Sequence, residues 1–262
     1  MTANYTLRDQ IKEYWSIRAE TFDLEPGHEI FSMREKDVWH QLIQTHLGDG
    51  VGRAALDLAC GTGVISHLLY DCKFDVTGID WSDAMLAQAR EKSKRRQSNI
   101  QFRIGDAENT REPIESYDVI MTRHLVWTLV DPLAALNHWH AILKPGGKVL
   151  IIDGDFVRLT WIDKIGRFLE TIGNRINPMA VDGALSELTE IHKTILKQIY
   201  FKNGARSEDV VRLLDEAGFQ NITVQTDLSE IHKAQAKNLP LMRSLKRRTQ
   251  HRYAISASKP AL

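Results

Sequence analysis

Apolar positions along the chain fall into two rhythms. Leu7, Ile11, Tyr14, Trp15 and Ala19 recur at helical spacing, and after a Pro26-Gly27 break Val38, Trp39, Leu42, Ile43 and Leu47 do the same. Each pattern leaves one apolar face and predicts an amphipathic helix, the second ended by Gly48, Gly50 and Gly52. From residue 54 the rhythm shortens. Strand-length apolar runs at 55–59, 74–80, 99–104, 117–122 and 148–153 alternate with helical stretches at 64–70, 84–94 and 131–143. Ser82 or Asp83 suits the cap of the second of those helices, and Asp131-Pro132 opens the third in the favoured cap-then-proline order.

Strands alternating with helices predict an α/β fold, a doubly wound and mostly parallel sheet wrapped on both faces. Right-handed crossovers gather the loops after Ala59, Ile79, Ile104 and Thr122 on one edge, where ligands bind in such sheets. Residues 156–206 interrupt the alternation. Trp161, Ile165, Phe168 and Leu169, then Leu188, Ile191, Ile195 and Ile199, read as a helical cap or insertion after the fifth strand. A further helix at 209–217 is stopped by Gly218, and runs at 222–226 and 253–257 bring the sheet to seven strands. The expected organisation is one domain over 1–262, with a helical cover over 1–50 and a cap over 156–206.

Composition changes this picture little. The 262 residues suffice for one full core, and 34 basic residues balance 34 acidic ones, so no field for gathering nucleic acid is expected. The clusters Lys92, Lys94, Arg95, Arg96 and Arg243, Lys246, Arg247, Arg248 read as solvated faces. Cys60 and Cys72 cannot build a disulfide framework, which suits a reducing cytoplasm. No segment approaches the roughly 18 apolar residues of a membrane helix, and the charged start carries no apolar stretch of signal-peptide length. The expectation is a cytoplasmic protein that does not enter membranes.

Candidate chemistry concentrates at Leu56-Asp57-Leu58-Ala59-Cys60-Gly61-Thr62-Gly63, a strand running through a glycine turn into a helix. Glycine permits positive φ and close approach of a ligand to backbone, and the new helix offers unpaired N–H groups. A nucleotide-shaped ligand follows, though Gly-x-Gly alone is shared by dehydrogenases and methyltransferases. Ser66 stands where the dinucleotide fingerprint takes glycine or alanine, no phosphate-cradling Gly-Lys-Ser/Thr loop is present, and Asp57 sits inside the strand where an apolar residue is the default. His138 and His140 are two apart and diverge on a helix, so no metal site is expected.

These residues resemble class I S-adenosylmethionine-dependent methyltransferases, in particular the small-molecule branch with a ubiquinone-type methyltransferase domain. The glycine turn is similar to that family's first motif, Gly78-Ile79-Asp80-Trp81-Ser82-Asp83-Ala84-Met85-Leu86 to its second, Gly105-Asp106-Ala107-Glu108 to its third, and Leu143-Lys144-Pro145-Gly146-Gly147-Lys148 to its later turn. The resemblance spans about residues 15–155 and 218–258 and implies the Rossmann-like methyltransferase fold, with S-adenosylmethionine as cofactor.

It also implies roles. Ala59, Gly61, Thr62 and Gly63 would bring backbone to the amino acid tail and ribose, with Asp57 orienting the turn or meeting the ammonium through water. Asp80 would accept from both ribose hydroxyls. Trp81 and Met85 would pack on adenine, Asp106 would accept from its amino group beside Ala107, and Tyr14 and Arg18 would close over the amino acid tail. Arg123 would contribute backbone contacts next to the sulfur. His124 would face the acceptor as a general base, its unperturbed pKa being about 6.5, or would only pack.

His28, Trp127, Trp161 and His192 are further candidates for an acceptor pocket. The expected activity is methyl transfer to an oxygen, nitrogen or carbon of a small molecule by in-line displacement. The Thr-Arg-His-Leu end of the fourth strand differs from the Asn/Asp-Pro-Pro-Tyr motif used on nucleic acid bases. A noncatalytic S-adenosylmethionine-binding regulator is the alternative, ahead of a protein methyltransferase or an NAD-dependent dehydrogenase.

Overall fold

Helix α1 (Leu7–Phe22) starts on a capping box: the Thr6 hydroxyl accepts from the Asp9 N–H, and the Asp9 carboxylate accepts from the Thr6 N–H at 2.9 Å. Helix α2 (Met33–Leu47) starts where the Ser32 hydroxyl accepts from the Glu35 N–H at 3.1 Å. The computed structural model describes residues 6–24, 27–157, 183–239, 244–245 and 249–261. After α2 the elements run β1 (Ala54–Leu58), α3 (Val64–Asp71), β2 (Asp75–Asp80), α4 (Asp83–Arg96), β3 (Gln101–Ile104), β4 (Tyr117–Arg123), a 3-10 turn (Val126–Thr128), α5 (Pro132–Ile142) and β5 (Leu143–Gly154). The later elements are α6 (Gly183–Gln198), α7 (Ser207–Glu216), β6 (Gln220–Gln225), α8 (Ser229–Ala236) and β7 (Arg252–Ser258).

The seven strands form one sheet in the order β3-β2-β1-β4-β5-β7-β6. The first five are parallel, and β7 runs antiparallel to both β5 and β6. Strand order reverses between β1 and β4, and the crevice at their carboxyl ends is where such sheets bind ligands.

Period-two alternation sorts the core into two layers. Val149 and Ile151 of β5 face α1, α5, α6 and α7, while Leu150 and Ile152 face α2, α3 and α8. Trp139 of α5 is fully buried, and its indole N–H donates to the Ala107 carbonyl at 2.8 Å, tying α5 to the loop after β3. Seven strands with helices on both faces agree with the expected fold class.

Two local features differ from the pattern-based expectation. Strand β5 begins at Leu143, because the Lys144–Gly147 stretch bulges out and pairing resumes at Lys148 opposite Val119. Helix α8 forms within the stretch between the two closing strands to which no element was given. Its Ile231 and Ala234 are buried although the helix is short and mostly polar. Trp161 and residues 158–182 of the expected cap lie outside the described residues.

Candidate active site

At the end of β1 the chain turns sharply, with Ala59, Gly61 and Gly63 all at positive φ. Gly63 has φ of 82°, and a Cβ there would meet Phe102 Cζ at 2.9 Å, so the helix can start only on glycine. At Gly61 an added Cβ would meet nothing within 4 Å, so the turn's outer side is open.

Two buried carboxyls brace this turn. Asp57 accepts from the Ser66 hydroxyl at 2.5 Å, and burial pushes its pKa up to about 7 against the pull of Ser66 and Arg123. Asp80, at the end of β2, accepts from the Gly61 N–H and the Ser82 N–H, each at 2.9 Å. Burial raises the Asp80 pKa, while those backbone donors lower it. Each Asp80 oxygen keeps acceptor capacity beyond its one backbone bond.

Helix α1 lies across the loops that follow β3, β2 and β1. Arg8 pairs with Asp106 and, at 2.8 Å, with Glu108. Ser16 and Ser82 share a hydrogen bond at 2.8 Å, and the Thr62 hydroxyl donates to Asp23 at 2.6 Å just past the helix end. Lys92 of α4 adds ion pairs to Asp23, at 2.9 Å, and to Glu29.

At the end of β4, the half-buried Arg123 guanidinium donates to the carbonyls of His28 at 2.9 Å and Gly27 at 3.4 Å and lies over the Trp39 ring. His124 stands at φ of 61°, its N–H donating to the Ile152 carbonyl at 2.9 Å. The His124 ring packs edge-on against Phe156 with centroids 5.1 Å apart, and Phe156 also meets Trp127. His28 stacks on Phe22 at 4.1 Å.

Together these groups enclose a cavity of about 990 Å³, its mouth included. Asp57, Ala59, Gly61, Thr62, Asp80, Trp81, Met85, Asp106, Ala107, Arg123 and His124 all line it, as does His28. Tyr14, Arg18 and Gly63 lie outside the lining. Adjacent helix positions point about 100° apart, so Trp15 turns into the cavity and Tyr14 turns away, onto His192 at 5.3 Å. Arg18 donates to the Tyr14 hydroxyl at 3.1 Å and lies over the Tyr14 and Trp15 rings. Trp127 stands outside the lining, between Phe156 and His192.

Sequence reasoning gave no role to Arg8, Cys60 or Glu108 at this site. The last two were readable as neighbours of matched motif residues, whereas Arg8 reaches the site only through the placement of α1.

Residues 55–147 match the family model described as a methyltransferase domain. That stretch runs from β1 through the glycine turn, Asp80 and Asp106 to the turn at Gly147, so the region that builds the site is similar to methyltransferase domains. The chain is 26% identical over 230 residues to a demethylmenaquinone methyltransferase of Staphylococcus aureus, covering 86% of this chain and 91% of the relative. In structure it is similar to phosphoethanolamine N-methyltransferase 2 of Haemonchus contortus, solved with phosphomonomethylethanolamine and S-adenosylhomocysteine, with a TM-score of 0.66 and 16% identity. That match covers 98% of this chain, which spans 60% of the Haemonchus protein's length. The same Haemonchus enzyme solved with S-adenosyl-L-methionine gives a TM-score of 0.62 at 17% identity, covering 100% of this chain and 59% of that one. Among the described residues no helix is long and apolar enough to cross a membrane.

Proposed function

We propose that this protein is a methyltransferase that holds S-adenosylmethionine in the cavity at the carboxyl edge of β1, β2 and β4 and methylates a small-molecule acceptor brought against His124. The observation that carries this reading is Asp80. Its carboxylate is buried at a strand end, fixed by two backbone N–H groups, and keeps a free acceptor site on each oxygen for two neighbouring ribose hydroxyls. Trp81 and Met85 form the apolar wall for adenine, and Asp106 accepts from its exocyclic amino group. Trp15 covers the cavity from α1, while Tyr14 and Arg18 hold that helix in place.

Bound S-adenosylmethionine supplies a methyl group already activated on a sulfonium. The protein's task is then alignment, which can provide most of the acceleration. His124 lines the cavity after β4, on the other side of β1 from the Trp81 that follows β2, and takes the proton of an acceptor hydroxyl or amine. The aromatic surroundings, Phe156, Trp127 and His28, favour an acceptor with a flat or apolar part. The named acceptors of the two relatives, a demethylmenaquinone and a phosphorylated amine, differ in chemistry, so the choice rests on this chain's own walls. The two buried, free cysteines suit the reducing cytoplasm.

Incubation with methyl-labelled S-adenosylmethionine and cell extract should yield a small labelled product. Tight binding of S-adenosylhomocysteine with no turnover in any extract would leave a binding protein instead. Displacement of S-adenosylhomocysteine by NADH would favour a dehydrogenase.

A further inference from the structure

Phe22 and His28 stack with ring centroids 4.1 Å apart and planes 10° from parallel, and both line the large cavity. The His28 ring also meets His124 edge-on at 6.5 Å, so the stacked pair stands beside the proposed base. Phe22 ends α1, whereas His28 lies between α1 and α2. An aromatic stack is weak against the entropy of closing a loop, so the pair needs further ties.

Those ties come from the next residue on each side. Asp23 follows Phe22, Glu29 follows His28, and the Lys92 ammonium of α4 pairs with both, reaching Asp23 at 2.9 Å. Each carboxylate gives Lys92 one oxygen and commits the other elsewhere. The second Asp23 oxygen accepts from the Thr62 hydroxyl of the glycine turn at 2.6 Å, and the second Glu29 oxygen accepts from the Ile30 N–H at 2.7 Å. Arg123 adds its bonds to the His28 and Gly27 carbonyls.

By sequence Lys92 belongs to a basic cluster that reads as a solvated face. Its side chain is instead 12% exposed, against 39% for Arg96 of the same cluster, because α1 packs along α4. An ammonium so far removed from water depends on its carboxylate partners. The reverse also holds: both carboxylates sit on one ammonium, and without it two like charges are left side by side.

We infer that Lys92 is a positioning residue for the methyl acceptor's site. By joining Asp23 to Glu29 it closes the Phe22–His28 stack beside His124, and through Asp23 and Thr62 it ties that wall to the turn that holds the cofactor. This rests on the methyltransferase reading given above.

Hydrogen exchange on the full chain, with and without saturating S-adenosylhomocysteine, tests it in Lys92→Met, Lys92→Arg and Glu29→Gln. In the ligand-free chain Lys92→Met should speed exchange at the amides of Gly27 to Phe31 about tenfold and leave β1 and α3 within about twofold of wild type. Glu29→Gln, which removes one arm only, should act in the same direction more weakly, and it decides the matter if Lys92→Met does not fold. Lys92→Arg keeps a cation for both carboxylates and should stay near wild type. S-adenosylhomocysteine should slow exchange at those amides in the wild type and not in Lys92→Met. Half-maximal label transfer by Lys92→Met should need about tenfold more cell extract, with the KM for S-adenosylmethionine within about twofold of wild type. Exchange raised equally in α1, α3 and α4 would show a plain loss of stability, and exchange unchanged at Gly27 to Phe31 in both Lys92→Met and Glu29→Gln would show that the stack holds by itself. Either result overturns the proposal. Failure of the wild-type chain to bind S-adenosylhomocysteine counts against the cofactor reading instead, and the ligand-free comparison still decides the role of Lys92.

Discussion

The Ser66 hydroxyl donates to the Asp57 carboxylate at 2.5 Å, and both side chains are sealed from solvent. A serine that spoils a dinucleotide fingerprint is here the support of an acid inside β1. Because burial raises Asp57 to about 7, the folded protein binds a proton more tightly than the unfolded chain between pH 4 and 7. Stability from this group is therefore present at low pH and lost as pH rises through about 7. Ser66→Ala removes a donor to a buried carboxylate and should cost about 1–3 kcal/mol at pH 8, less at pH 5. Asp57→Asn should flatten the pH dependence of stability over the same window. Denaturant unfolding at the two pH values measures both, and equal losses at pH 5 and 8 for Ser66→Ala would show that Asp57 does not titrate there.

Asp80 acts on the turn and, in the proposed reading, on the ribose. Asp80→Ala should weaken S-adenosylhomocysteine binding by about 1.5–3 kcal/mol, roughly tenfold to a hundredfold, as a charged acceptor is lost. The Gly61 N–H loses its acceptor at the same time, so Asp80→Asn, which keeps one oxygen, separates the two effects. Unchanged affinity by calorimetry in both variants would remove Asp80 from the site.

Arg8 joins α1 to Asp106 and Glu108, and Glu108 in turn accepts from the N–H groups of Val130 and Asp131, each at 3.0 Å, before α5. One side chain thus fastens the cover to both sides of the adenine region. Arg8 is 39% exposed, so screening limits the pair to about 0.5–1 kcal/mol. Arg8→Ala should speed S-adenosylhomocysteine release about two- to fivefold in stopped-flow measurements, with the gap closing at high salt. An unaltered release rate at low salt would mean that α1 stays closed without it.

Local spacing explains what was legible beforehand. The glycine turn, Asp80 and Asp106 each follow a strand within a few residues, so period-two runs placed them on one edge. Features that depend on distant partners were not. Nothing near 222–226 or 253–257 tells which closing strand lies beside β5 or which way it runs, since both directions share one alternation. The helical spacing of Tyr14 and Arg18 predicts their mutual contact, yet which face of α1 meets the cavity depends on its docking through Arg8, Ser16 and Asp23. Parity along β4 puts Arg123 on the face of Val119 and Met121, toward α2, but its clamp on the His28 carbonyl joins residues 95 positions apart.

His124 occupies the left-handed region at φ of 61°, which is strained for most side chains and tolerated best by glycine and asparagine. A plain alanine substitution keeps that strain while removing the ring, so a fall in activity could reflect a shifted loop. His124→Asn suits the backbone and removes the imidazole. If the ring takes the acceptor's proton, His124→Asn should fold with wild-type stability, bind S-adenosylhomocysteine within about twofold of wild type, and turn over about a hundredfold more slowly. The wild-type rate should also fall toward low pH as the imidazole protonates, and the variant should lose that limb. Initial rates of label transfer across pH 5–9 read both effects. Wild-type turnover in His124→Asn, with the acidic limb intact, would return His124 to a packing role against Phe156 and leave alignment alone to drive the reaction.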